Sequence, residues 1–123
     1  MRIASVFSAR RAVLGALILS SLLAACRRAE DPGERVFRRR CSICHGDEGR
    51  GDTEFAEGRP YADLTDGRWK HGPDYDSMRR LIAEGDPKSP MPAFGKKLSP
   101  EEIDAVTRYV EKLAERAARE KPR

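Results

Sequence analysis

The sequence predicts an all-α fold, in one small helical domain. At 123 residues the chain is long enough for one small domain. Three segments carry helix-capping residues ahead of apolar positions at helical spacing, and none shows the alternation of apolar and polar residues that is typical of a strand. Apolar residues are few beyond the first 25 residues, so side chains alone would make a thin core. Such a composition suggests disorder, a disulfide framework or an apolar cofactor that supplies part of the interior.

Residues 1–25 have the composition of an export signal. They contain three arginines and no acidic residue, and residues 12–25 read AVLGALILSSLLAA, a short apolar run that ends in small residues. Cleavage after this run leaves 98 residues, of which 31 are apolar, 21 basic and 20 acidic. The formal charge of +4 therefore describes mainly a removable segment, and we expect no nucleic-acid partner.

Cys26 follows Leu23-Ala24-Ala25 directly. This junction resembles the bacterial lipoprotein processing site, where the cysteine is lipidated and becomes the new N-terminus. The apolar run is too short for a spanning helix. We therefore predict a lipoprotein signal peptide at 1–25 and a lipidated tether at 26–33, which would hold the protein on the periplasmic side of a bacterial membrane. The alternative is cleavage elsewhere, which would leave Cys26 as a free thiol.

We place the folded domain at residues 34–118 and predict a first helix at its N-terminal end. Asp31 can serve as its N-cap, Pro32 suits its first position, and Glu34 completes a capping-box pattern. We expect this helix to run toward Cys41.

A second helix is predicted around 74–84, after a glycine-rich and charged stretch at 46–60 that has no sustained period and reads as a loop. Asp74 or Asp76 can cap this helix, and Gly85 can adopt the left-handed conformation that ends it.

The last helix follows a loop at 86–98 that contains three prolines. Ser99-Pro100-Glu101-Glu102 combines an N-cap, a first-turn proline and a capping-box acid. Its apolar stripe at a period of 3.6 residues consists of Ile103, Val106, Tyr109, Val110 and Leu113. Residues 119–123 are predicted to form a polar C-terminal tail.

Residues 41–45 read Cys-Ser-Ile-Cys-His, which is the C-x-x-C-H attachment signature of c-type haem. Cysteines three apart in a helical turn point the same way, so Cys41 and Cys44 can both form thioether bonds to one haem edge. His45 can then bind the iron through a neutral imidazole nitrogen. A zinc site is one alternative, for which only His71 and Cys26 remain as ligands. A redox-active dithiol is another, and it lacks the expected βαβ pattern.

The mature chain resembles the class I c-type cytochromes of bacteria over roughly residues 32–113. The matching features are Gly33, Phe37 and Cys41 at spacings of four, then CSICHG, ADLTDGRWKHG at 62–72, MPAFGKKLSPEE at 91–102 and a closing helix with Tyr109. The resemblance implies the class I cytochrome c fold, in which helices wrap around one covalent haem and Gly33 lets the first helix contact Tyr109 of the last. Thr53 departs from the pattern, because the family often has a further glycine there.

The resemblance also implies a methionine as the sixth iron ligand, and Met91 in the segment SPMP matches it. Elimination agrees, since Met1 is removed with the signal and Met78 shares a helical face with apolar neighbours. His71 is the alternative ligand. The same resemblance matches Pro60 to the residue whose carbonyl orients the iron-binding histidine.

Trp69 corresponds to a tryptophan that donates to a haem propionate in the resembling proteins. An ordinary core aromatic is the alternative role for it.

An iron held by His45 and Met91 leaves no open position for a substrate. The implied function is a one-electron carrier in a periplasmic respiratory or dehydrogenase chain, and not an enzyme. Its redox partners would be a donor dehydrogenase or quinol-oxidising complex and an acceptor oxidase or reductase. The alternative is a haem enzyme or gas-binding sensor whose sixth ligand is absent or displaceable.

Basic residues flank both predicted haem-binding segments. Arg38, Arg39 and Arg40 precede Cys41, and three lysines, Lys88, Lys96 and Lys97, bracket Met91. In the family fold these six charges would lie toward the haem edge and steer an acidic partner. Solvated surface charges without a partner are the alternative.

Overall fold

A computed structural model describes residues 29–120. It contains four α-helices, α1 at Pro32–Arg40, α2 at Ser42–His45, α3 at Tyr75–Glu84 and α4 at Pro100–Glu120, with 3₁₀ turns at Glu54–Ala56 and Pro60–Ala62 between α2 and α3. The described residues contain no strand, which confirms the predicted all-α class. The predicted signal peptide and Cys26 lie outside the described residues.

The start of α1 is set by Asp31, whose Oδ1 accepts a hydrogen bond from Gly33 N at 2.8 Å. Pro32 occupies the first helical position, where a missing N–H is not needed. The Glu34 carboxylate pairs with Arg38 one turn later rather than completing the expected capping box. Pro32 and Gly33 therefore belong to α1, as the capping residues predict, and not to the tether predicted at 26–33.

The first and last helices cross in backbone contact. A Cβ atom on Gly33 would lie 2.8 Å from both the Ala105 carbonyl carbon and Tyr109 Cβ, and would overlap the Ala105 carbonyl oxygen. The rings of Phe37 and Tyr109 pack beside this point with centroids 5.4 Å apart and planes tilted by 54°. The close crossing of Gly33 with Tyr109 is confirmed.

Helix α3 begins after Asp74, whose Oδ1 accepts from Ser77 N at 2.9 Å. Asp74 is thus the N-cap, and Asp76 lies inside the first turn. Gly85 ends the helix with a positive φ of 72°, as its sequence position predicts, but its ψ of −176° is extended and not that of the left-handed helical conformation.

Helix α4 has the predicted capping box. Ser99 Oγ accepts from Glu102 N at 3.2 Å, and Glu102 Oε2 accepts from Ser99 N at 3.0 Å. The helix continues through Glu120, so residues 119 and 120 of the predicted tail are helical. Apolar periodicity ends near Leu113, but the following residues are mostly Ala, Glu and Arg, which favour helix without a buried face.

The core lies where α1, α3 and α4 meet the loop after Gly85. Its buried members are Val36, Phe37, Met78, Ile82, Phe94, Leu98, Ile103, Val106, Tyr109, Val110 and Leu113. Within residues 29–120, no helix combines the length and the apolar character needed to cross a membrane.

Candidate functional site

One cavity of about 530 Å³ brings together residues from most of the described chain. Its wall includes apolar side chains from the three long helices, among them Phe37, Ile82 and Val106. The same wall contains the residues that the sequence predicts for the site, Cys41, Cys44, His45, Pro60, Trp69 and Met91. Every predicted site residue in the described part of the chain therefore lies at one cavity.

The two cysteines are placed by the junction of α1 and α2. Cys41 N donates to Phe37 O at 2.8 Å, and Cys41 O accepts from Cys44 N at 3.1 Å and from His45 N at 2.9 Å. The first of these bonds closes α1 and the other two form the turn of α2. Thr53 Oγ1 donates to Cys44 O at 3.0 Å, so the departure from glycine at position 53 gives the loop a further hydrogen bond.

Cys41 and Cys44 are half-buried free thiols. Burial, and secondarily the charge of Cys44, raises the pKa of Cys41 to about 12. A redox-active dithiol instead needs a cysteine with a lowered pKa, because the thiolate is the reacting form. Cys41 therefore does not meet this requirement.

His45 is oriented by a hydrogen bond of 2.7 Å between its Nδ1 and Ala62 O. A carbonyl oxygen only accepts, so Nδ1 carries the proton and Nε2 keeps a lone pair for a metal ion. Burial lowers the pKa of His45 below its ordinary value of 6.5, and the bond to Ala62 opposes this only in part. The imidazole is consequently neutral at pH 7 and ready to act as a ligand.

The carbonyl that orients His45 belongs to Ala62 and not to Pro60, which corrects the sequence prediction. Pro60 begins a 3₁₀ turn, in which Ala62 N donates to Arg59 O at 2.9 Å, and this turn carries the Ala62 carbonyl toward His45. Gly51 permits the approach, since a Cβ there would lie 2.9 Å from the Ala62 carbonyl carbon. The resemblance matches a proline by its position in the sequence, and it cannot show that the carbonyl comes from a residue two positions later.

Met91 is half-buried and packs against the core at the cavity wall. Its carbonyl accepts from Asp86 N at 3.1 Å and its N–H donates to Ser89 Oγ at 3.3 Å. Gly85 lies behind the loop, where a Cβ would come within 2.9 Å of Met91 O. Met78 also lines the cavity, but it is only 6% exposed on α3, in keeping with the core role expected for it.

His71, the alternative ligand, has its Nε2 at 3.1 Å from Asp86 Oδ2. The same carboxylate oxygen accepts from Lys70 Nζ at 2.7 Å. Asp86 was not identified from the sequence as a site residue, because no motif marks an aspartate whose partners lie 15 and 16 positions earlier.

The family described as Cytochrome C oxidase, cbb3-type, subunit III matches residues 28–110, which include the whole site just described. The chain belongs to this family. Membership implies a covalently bound haem c, and the single C-x-x-C-H run provides for one haem.

Individual relatives agree with the family match. The Cbb3-type cytochrome c oxidase subunit FixP of Azorhizobium caulinodans is 38% identical over 85 residues, covering 69% of this chain and 27% of that subunit. Subunit CcoP of Rubrivivax gelatinosus is 33% identical over 91 residues, covering 70% and 28%. Cytochrome c6 of Gloeothece citriformis is 33% identical over 85 residues, covering 68% and 71%. The chain thus spans about a quarter of the oxidase subunits that it matches.

The cavity residues suit the haem c of this family. Two thiols stand on one turn, a neutral imidazole adjoins them, and a thioether lies on the same wall. Apolar side chains can pack against a porphyrin ring. Trp69 is half-buried among the lining residues and also contacts the core, so its position suits both of the roles considered for it.

Only one arginine of the run before Cys41 lines the haem cavity. Arg38 pairs with Glu34 at 2.9 Å and Arg39 with Glu102 at 3.7 Å, whereas Arg40 is part of the cavity wall. Successive residues of an α-helix point about 100° apart, so three consecutive charges cannot face one side. The expectation that all three lie toward the haem edge is wrong.

The remaining basic residues also differ from the expected patch. Lys88 lines the cavity beside Met91, but Lys96 and Lys97 are exposed outside it. Arg59, Arg68 and Lys70, which the sequence did not single out, join Lys88 at the cavity wall. The basic residues at the haem site are therefore partly different from those that the sequence suggests.

Proposed function

We propose that this protein is a one-electron carrier in which Cys41 and Cys44 hold haem c and His45 and Met91 bind its iron. The observation that supports this most strongly is the meeting of these four side chains, three from one turn and one from a distant loop, at a single apolar cavity. When bound, haem c supplies the Fe(II)/Fe(III) couple. With His45 and Met91 both bound to the iron, no position would be left for a substrate.

The surrounding residues would tune that couple. The hydrogen bond from His45 to Ala62 fixes the tautomer and increases the basicity of the ring. The Met91 thioether and the apolar wall would favour the reduced state and raise the potential. We propose that the Trp69 indole N–H donates to a haem propionate.

An anaerobic redox titration of the haem-loaded protein tests this proposal. We expect one reversible wave of a single electron and no carbon monoxide complex of the reduced protein. A reduced protein that readily binds carbon monoxide would instead favour the enzyme or gas-sensor function.

We further propose that residues 1–25 are a lipoprotein signal peptide and that Cys26 carries the lipid that holds the domain on the periplasmic side of a membrane. Two features support this, the small residues before Cys26 and the start of the folded domain at Asp31, a few residues later. Cys26→Ser should move the protein from the membrane fraction to the soluble periplasm and leave its haem spectrum unchanged. A serine variant that still sediments with membranes would contradict lipid anchoring.

The partners that we propose are respiratory complexes, with a dehydrogenase or quinol-oxidising complex as donor and an oxidase or reductase as acceptor. The oxidase subunits among the relatives support this choice. Arg40, Arg59 and Lys88 at the cavity wall would favour an acidic partner. Electron-transfer rates with a candidate complex should then fall as salt rises, and less steeply in Lys88→Glu. Equal salt dependence in both proteins would exclude Lys88 from docking.

A further inference from the structure

Asp86 is the one acidic side chain among residues 29–120 that is buried, with 6% of its surface exposed. Both carboxylate oxygens are engaged. Oδ2 accepts from Lys70 Nζ at 2.7 Å and from His71 Nε2 at 3.1 Å, and Oδ1 accepts from Lys88 N at 2.9 Å. The side chain thus connects the segment that follows Trp69 to the loop that precedes Met91.

The backbone of Asp86 continues this connection to Met91. Asp86 N donates to Met91 O at 3.1 Å, and Asp86 O accepts from Ser89 N at 3.0 Å. Ser89 Oγ in turn accepts from Met91 N at 3.3 Å. Residues 86–91 therefore form a closed loop whose two ends are bonded to each other.

A buried carboxylate is unfavourable unless it is paired and hydrogen-bonded. The bond from Lys70, followed by those from Lys88 N and His71, holds the pKa of Asp86 well below its ordinary value, so it stays ionised at neutral pH. Lys70, the cationic partner of Asp86, belongs to a segment that also lines the cavity. The pair therefore fixes the position of the closed loop relative to the cavity wall.

We propose that Asp86 is a positioning residue for Met91, joining Lys70 and His71 to the loop so that the Met91 thioether is held at the haem iron. It also engages Nε2 of His71, the other side chain considered as an axial ligand. This inference rests on the proposed function, because it requires Met91 to be that ligand.

The test is an imidazole titration of the ferric, haem-loaded protein, in which imidazole displaces the sixth ligand. Asp86→Asn keeps the shape of the side chain but removes its charge. We expect imidazole to bind roughly tenfold more tightly, the usual scale for loss of a residue that orients a metal ligand. Lys70→Gln should shift the affinity in the same direction by less, because His71 and Lys88 N still hold Asp86.

Asp104→Asn is the matched control. It breaks an aspartate pair with Arg79 of 2.6 Å, which joins α4 to α3 outside the cavity wall. This variant and Asp86→Asn should both lower thermal stability, but only Asp86→Asn should change the imidazole affinity. A change of equal size in Asp104→Asn would mean that general destabilisation is responsible, and would overturn the proposal.

The possible failures can be told apart. If wild-type ferric protein lacks the sulfur-to-iron charge-transfer band, Met91 is not the ligand and the proposed function itself fails. If that band is present and imidazole affinity is unchanged in Asp86→Asn, only the positioning role is overturned. If Asp86→Asn does not retain haem, Lys70→Gln takes its place in the test, because the Lys70 side chain is partly exposed. Unchanged imidazole affinity in Lys70→Gln would then overturn the positioning role.

Discussion

Helix α4 packs directly against α1 in one region and borders the cavity in another. Where α1 crosses it, the two backbones touch at Gly33, and the rings of Phe37 and Tyr109 fill the adjoining space. Elsewhere the same helix presents Val106 and Val110 to a cavity of about 530 Å³, whose other walls come from α1, α2, α3 and the loops. The crossing is completed by protein atoms, whereas the cavity is shaped for haem c.

This difference separates two kinds of requirement on the sequence. The crossing needs a particular shape, namely a glycine opposite a backbone carbonyl and an aromatic residue beside it. The cavity needs particular chemistry, because thiols, an imidazole and a thioether must meet there. Damage to either region should therefore produce a different phenotype.

The largest effect is expected from Cys41→Ser combined with Cys44→Ser. Without covalent haem, the cavity side has too few apolar contacts to offset chain entropy, so the chain should be largely unfolded. Circular dichroism of the haem-free double variant measures this directly. Native helix content in that variant would show that the crossing alone sustains the fold.

Gly33→Ala tests the crossing. The new methyl group would overlap the Ala105 carbonyl, so α1 and α4 must separate, and we expect a loss of about 3 kcal/mol or more in unfolding free energy. Arg35→Ala, on the exposed side of the same helix, is the control and should change stability little. Urea unfolding of both haem-loaded proteins decides the matter. Equal stability of the two would mean that the helices do not cross as closely as described.

Met91→Ala should affect the cavity without affecting the crossing. Loss of the thioether removes the sulfur-to-iron charge-transfer band of the ferric protein and lowers the reduction potential, while helix content is retained. Met78→Leu is the matched control, since Met78 lines the same cavity and this swap conserves volume. Loss of the band in Met78→Leu, with retention in Met91→Ala, would reverse the ligand assignment.

The smallest effect is expected at the start of α1. The bond from Lys112 holds the pKa of Asp31 below its ordinary value of 3.8, so the pair stabilises the fold above that pH and its contribution is lost as pH falls below it. Asp31→Asn keeps a good N-cap but removes the charge, and should lower stability by roughly 0.5 kcal/mol at pH 7. Urea unfolding at several pH values should show this difference disappear in acid. A difference that persists in acid would place the effect in the cap.

The sequence correctly predicted features that depend on a single residue or on a local pattern. The caps at Asp31 and Ser99, the glycine at position 33 and the apolar stripe of α4 all act within a few residues or through shape, and each was found where expected. The cavity also brings together Cys41, Cys44, His45 and Met91, as their motifs predict.

Prediction failed where the outcome depends on how loops fold back. The carbonyl that meets His45 comes from Ala62 because a 3₁₀ turn follows Pro60, and a resemblance at the proline cannot reveal that turn. The role of Asp86 was not predicted, because its partners Lys70 and His71 come from a different segment. A run of arginines likewise does not show that Arg38 pairs with Glu34 one turn earlier in α1, or that Arg39 pairs with Glu102 in α4.

The most direct test of the central claim is the pyridine haemochrome spectrum of the mature protein, produced in a bacterium that attaches haem to exported chains. The spectrum reports how many vinyl groups of the haem have become thioethers and how much haem each chain carries. We predict one haem per chain with both vinyl groups bonded, through Cys41 and Cys44. A spectrum typical of non-covalent haem, or a helical protein without haem, would contradict the account.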